Sequence, residues 1–95
     1  MSVELNDMQG LLHEVRRVFP LSEYRLLLEF EEAQYRVVNV KPILDRGGVF
    51  RPLRDPDLFR TVRVGASGTV EWENGVDLDP DVLYAQSVPL MMPQV

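Results

Sequence analysis

Two stretches of alternating side chains, "EYRLLLEF" at residues 23–30 and "QYRVVNV" at 34–40, leave this chain few folds to choose from. Successive residues of a strand point to opposite faces, so apolar residues at every second place mark a strand with one buried face. In the first stretch Tyr24, Leu26, Leu28 and Phe30 share a face; in the second Tyr35 and Val37 do. Only a short connection separates the two, which calls for an antiparallel hairpin. A turn centred on Glu32-Ala33 would set Phe30 opposite Tyr35 and Leu28 opposite Val37, the aromatic and aliphatic cross-strand pairs that stabilise a sheet. Neither turn residue tolerates positive φ well, so a four-residue loop with the same register is the expected connection.

The rest of the chain is strongly punctuated. "SVELNDMQGLLHEV" has a weak capping-box spacing from Asn6 to Gln9 but carries Gly10 inside its apolar pattern, and predicts a short helical turn or loose arm leading into a strand near residues 14–19. "VKPILDRGGVF" breaks the sheet with Pro42 and Gly47-Gly48. Asp55 then predicts an N-cap with Pro56 at the first helical position, starting a helix of one or two turns. "TVRV" and "TVEW" are the next strands; for Val64 to face Val70 and Val62 to face Trp72, an odd number of residues must join them, as a bulge or a five-residue turn. Asn74-Gly75 marks a turn, and Asp79 and Pro80 repeat the helix start, with Leu78 and Leu83 spaced as a hydrophobic staple. The final "SVPLMMPQV" holds two prolines and is not expected to be helical. The pattern is α+β: a small antiparallel sheet built from two hairpins, a short helix between them and a C-terminal helix. With 95 residues, a single domain is expected, with an ordered core at about 15–87 and less ordered extensions at 1–14 and 88–95.

Several kinds of chemistry are poorly served by this composition. The chain contains no Cys, which removes thiolate nucleophiles, thiolate metal sites and disulfides, and fits a reducing cytoplasm. It shows neither a signal-peptide pattern nor an apolar run long enough to span a membrane. Asp77, Asp79 and Asp81 alternate like a calcium loop, but the places six and twelve from Asp77 hold Val82 and Val88 where that loop needs Gly and Glu. The cluster is better explained as capping and turn chemistry, and neither metal nor cofactor is expected. His13, the lone His, is expected on the surface, and "GASG" lacks the spacing of a nucleophile elbow. Trp72, on an alternating strand, is expected at the centre of a small core, with Tyr84 packed over it and its hydroxyl in water. Catalysis is not expected.

Charge is unevenly laid down within a net −5: residues 1–35 carry seven acids against three bases, 36–63 seven bases against three acids, and 64–95 five acids and no base. Arg51, Arg54, Arg60 and Arg63 are therefore candidates for an anion-facing patch, against the simpler expectation that they pair with flanking acids. The apolar tail Leu90, Met91 and Met92 is the candidate partner-binding segment, expected either to cover a sheet edge or to meet a partner.

Read in order, "YRLLLEF", "YRVVNVKPIL", "GVFRPLRDPDLF" and "VEWENGVDLDPDVLY" resemble the bacterial family known as domain of unknown function 2442, over about residues 15–87. The most distinctive part runs through Trp72, Asn74, Gly75, Asp77, Pro80, Leu83 and Tyr84, beside the capping Asp79. Two places depart from the family pattern: Glu31-Glu32-Ala33 stands where a Gly-containing turn is common, and Glu73 where Pro is frequent. The resemblance implies a small sheet-based α+β domain with no catalytic residues to carry over. It also implies a place in two-gene modules of the toxin–antitoxin kind, sometimes with a fused helix-turn-helix segment, for which this chain has no room. The expectation is therefore a cytoplasmic, non-catalytic protein-interaction domain, antitoxin-like, whose partner is a small basic protein or a second copy of itself, through an exposed strand edge and the tail. Direct contact with nucleic acid is not expected, nor with membrane. The alternative is a regulatory module that binds an anionic ligand or nucleic acid through its arginines.

Overall fold

A computed structural model describes residues 13–90. Strands β1 (Val15–Leu21), β2 (Arg25–Phe30) and β3 (Gln34–Asn39) form a meander, followed by the single-turn helix α1 (Lys41–Leu44) and a 3-10 stretch, Gly48–Arg54. Helix α2 (Pro56–Phe59) leads into β4 (Arg63–Val64), β5 (Val70–Glu71) and β6 (Asp77–Leu78), then α3 (Pro80–Gln86) and β7 (Val88–Pro89). Two antiparallel sheets result, in the orders β1-β2-β3-β7 and β4-β5-β6. This is the α+β arrangement that the alternating strands and Asp-Pro helix starts predict. The larger sheet extends past the expected 15–87 core, because Val88 and Pro89 return to pair with Val37 and Arg36.

Both helix starts carry the expected caps. The Asp55 carboxylate accepts from the Asp57 N–H and that of Asp79 from the Asp81 N–H, at 3.0 and 2.7 Å, with Pro56 and Pro80 at the first turn. Val64 pairs with Val70 across the five residues 65–69, as the odd-length argument requires. Gly75 takes φ 92° in the Asn74-Gly75 turn, a left-handed conformation for which glycine is suited.

The first hairpin corrects the expected register. Its loop is three residues, Glu31–Ala33, with Glu32 and Ala33 both left-handed at φ 62° and 57°. Phe30 consequently faces Gln34, Leu28 faces Arg36 and Leu26 faces Val38. A slip of one residue turns a whole strand over. The inward residues of β3 are thus Arg36 and Val38, with Val40 continuing the face, while Tyr35 and Val37 point outward. Burial of Val38 and Val40 beside Leu26, Leu28 and Phe30 outweighs the strain of two left-handed residues, about 1–2 kcal/mol each.

One hydrophobic core joins both sheets, through the inner face of β2, Leu44 and Leu53 beneath, and Trp72, Phe59 and Leu83. Trp72 is 1% exposed and its indole N–H donates to the Phe59 carbonyl at 2.9 Å. Its ring neighbour is Phe59, at 6.0 Å between centroids, and Tyr84 packs elsewhere.

Candidate functional site

An antiparallel sheet with one solvated face ordinarily carries polar residues there. Here the outward face of the larger sheet does not follow that pattern. In register, Phe19 pairs with Leu27, Leu27 with Val37, and Val37 with Val88, giving an unbroken apolar row across all four strands. Phe19 is 41% exposed and Val88 62%, while Leu27 and Val37 are half-buried between them. Leu90, 43% exposed, lies two residues beyond Val88 on the same face, its N–H donating to the Tyr35 carbonyl at 3.0 Å.

Charged and polar side chains border the row on both sides. On one side Arg17, Glu29 and Tyr35 stand across β1, β2 and β3, and the Arg17 guanidinium donates to the Glu29 carboxylate and the Tyr35 hydroxyl. Those two hydrogen bonds push the already high pKa of Arg17 further up. On the other side Arg25 stands between Leu21 and Asn39, donates to the Ser22 carbonyl and lies 4.0 Å from Glu23. An apolar centre with a rim of paired charges is the anatomy of a protein–protein contact patch.

Of the sheet's two edge strands, β1 and β7, the second is blunted. Leu90 turns its N–H toward β3, so Val88 does likewise and the intervening position, Pro89, faces the open edge. Proline has no N–H to offer there, which blocks addition of another strand. The start of the tail thus covers the edge of its own sheet, and Pro89 disfavours the strand-edge contact expected from sequence. Met91 and Met92 lie outside the described residues.

The candidate arginines do not act as one set. Arg60 is held by Asp57 at 2.6 Å and Arg63 by Glu71 at 2.9 Å, the pairing with nearby acids that the simpler expectation describes. Arg51 and Arg54 are exposed and make no side-chain ion pair among the described residues.

His13 is more than a surface residue. Its ring stacks on Tyr84 at 3.7 Å and 8°, meets the edge of Phe30 at 5.8 Å, and its Nδ1 lies 3.1 Å from Glu31 Oε2. The Arg36 guanidinium sits 4.1 Å from the same Tyr84 ring and donates to the Ser87 hydroxyl and carbonyl. Two planar groups this near one centroid would collide on one side, so His13 and Arg36 take opposite faces of Tyr84. Gln34 donates to the Tyr84 hydroxyl at 3.0 Å. Burial pushes the Glu31 carboxyl up, but N–H groups of Glu14 and of Glu31 itself, with His13 alongside, hold it below the usual carboxylate range. This cluster fastens the start of β1, the hairpin loop and α3 together. In the sequence His13 stands alone, 71 residues from Tyr84, and only the fold brings them together.

The most distinctive stretch of the sequence serves the core. Trp72 is buried in it, the Asn74-Gly75 turn joins β5 to β6, and Asp79 and Pro80 start α3 directly after β6; among the described residues no group of three His, Asp or Glu side chains is placed to hold a metal ion. No helix among the described residues is long and apolar enough to cross a membrane.

The chain belongs to the family described as protein of unknown function DUF2442, whose model matches residues 15–89. Its fold is similar to a crystal structure of a "putative DNA binding protein" from Nitrosomonas europaea, with a TM-score of 0.71 and 28% identity over 79% of this chain. The match covers 48% of that protein, so this chain spans about half its length. No curated protein matches the chain.

Proposed function

We propose that this chain is a non-catalytic protein-interaction domain, the antitoxin-like member of a bacterial, cytoplasmic toxin–antitoxin-type pair. The observation that carries the reading is the apolar row Phe19–Leu27–Val37–Val88 on a sheet face with no other element of the described residues packed over it. A monomer gains nothing from exposing such a row, whereas a binding domain uses it. The net charge of −5 speeds encounter with a small basic partner and disfavours nucleic acid over long range. A tagged chain should retain one small protein at fixed stoichiometry from host lysate, nuclease-treated or not. The variant carrying Phe19→Ser and Val88→Asp should lose it. Recovery of nothing but the chain itself, or only of material that nuclease removes, would end this reading.

A second reading is favoured by the similarity to a protein named for DNA binding and by the exposed Arg51 and Arg54. In it the chain is a regulatory module that grips an anionic ligand or nucleic acid. A mobility shift at low salt that Arg51→Ala with Arg54→Ala removes would support it; no shift would return the weight to the first reading.

A further inference from the structure

We infer that the occupant of the outward sheet face is an amphipathic α-helix of about three turns, lying along the row Phe19–Leu27–Val37–Val88 and across the strands. This rests on the protein-interaction reading and names the partner's form. Over β2 and β3 the row is one side chain wide, between Glu29 and Tyr35 on one side and Arg25 and Asn39 on the other, while Leu21 beside Phe19 and Leu90 beside Val88 extend it at opposite corners. Four strands at about 4.8 Å spacing make it about 14 Å long. A helix presents apolar side chains in a stripe of the same width, one per turn of about 5.4 Å, so successive anchors at i, i+4 and i+7 meet successive strands. The paired charges at the rim then face the polar flanks of that helix.

An extended occupant fits less well. An added β-strand at the β7 edge, beside Val88 and Leu90, needs a donor that Pro89 removes. A second copy of the chain, which would bury about 800 Å² on each side in a stable dimer, is the alternative that sedimentation distinguishes. Helix-in-groove recognition reaches useful affinity from three or four anchors on such a patch.

The test uses the full chain and a synthetic 15-residue peptide, capped at both ends, with Leu at i, i+4, i+7 and i+11 and Glu–Lys pairs elsewhere. A control peptide of identical composition places its Leu residues at alternate positions, the period of a strand. Amide shifts in the chain are followed by NMR, and peptide helicity by circular dichroism. The helical peptide should shift amides at Phe19, Leu27, Val37 and Val88, gain helicity on binding, and bind at least tenfold more tightly than the control. Phe19→Ser with Val88→Asp should weaken it at least tenfold; both side chains are exposed, and the buried Trp72 reports through its fluorescence that the fold is kept. Equal binding of both peptides, no shift up to millimolar peptide, or shifts away from the row would overturn the inference. So would sedimentation showing that the chain dimerises and that Val88→Asp abolishes the dimer. The lysate experiment separates the two levels: a partner retained equally by the double variant sinks this inference and leaves the interaction reading standing. An empty lysate experiment beside a peptide that docks on the row does the reverse.

Discussion

Glu31 shows how a single carboxylate can hold together two elements that are apart in sequence. One oxygen accepts the Glu14 N–H at 2.9 Å and the other meets His13, so the entry to β1 is tied to the loop between β2 and β3. Because its carboxyl lies lower in the folded chain than its ordinary 4.5, Glu31 contributes stability that is present above that value and disappears as pH falls through the folded-state value. The melting temperature should therefore drop between about pH 5 and about pH 3 more steeply in the wild type than in Glu31→Gln, measured by circular dichroism in matched salt. Parallel curves would mean that the carboxylate is not coupled to folding. Tyr84 is the companion case. Clasped between His13 and Arg36, it gives the cluster its rigidity through a stack and a cation over its ring, and such contacts add about 0.5–2 kcal/mol to simple burial.

At the scale of elements, short helices need their caps more than long ones do, because so little internal hydrogen bonding supports them. Helix α3 has seven residues, and its N-terminus depends on the Asp79 carboxylate and on Pro80. Asp79→Ala should cost about 0.5–2 kcal/mol, read from urea unfolding followed by Trp72 fluorescence. A change below the error of that measurement would show that packing of Leu83 alone fixes the helix. Caps of this kind are legible in sequence because their signal is local: Asp55-Pro56 and Asp79-Pro80 carry their meaning within two residues. The five-residue connection between β4 and β5 was legible too, since Val64 and Val70 set its parity. Less of the first hairpin was legible. "QYRVVNV" has Val37 and Val38 side by side, apolar on both faces at its centre, so alternation alone could not choose between two registers one residue apart. The choice falls to Val38 and Val40, deeper in the core than Tyr35 and Val37, and to a loop whose two left-handed residues no turn preference would select. That same residue of slip hid the outward row: Val37 was expected inside, and Val88 beyond the ordered core. The His13 cluster left no pattern to read, since its members come from three segments far apart in the sequence.

On the scale of the whole molecule, the chain protects one surface and exposes another. The four-stranded sheet covers its core on one side with the second sheet and α3, ends in Pro89 at the β7 edge, and leaves its other face apolar along one row. Replacing Pro89 with Thr restores an outward N–H next to exposed Val88 and Leu90. That variant should self-associate with rising concentration, seen in sedimentation velocity, while the wild type keeps one sedimentation coefficient. If both behave alike, the proline is not what closes the edge. The difference between these surfaces is one of arithmetic. A strand added to an edge presents a new edge, so growth by that route has no natural end, whereas a face is consumed by the first partner that covers it. By giving up one backbone donor at β7, the chain turns that edge away from open-ended growth and leaves beside it a face that one partner can fill.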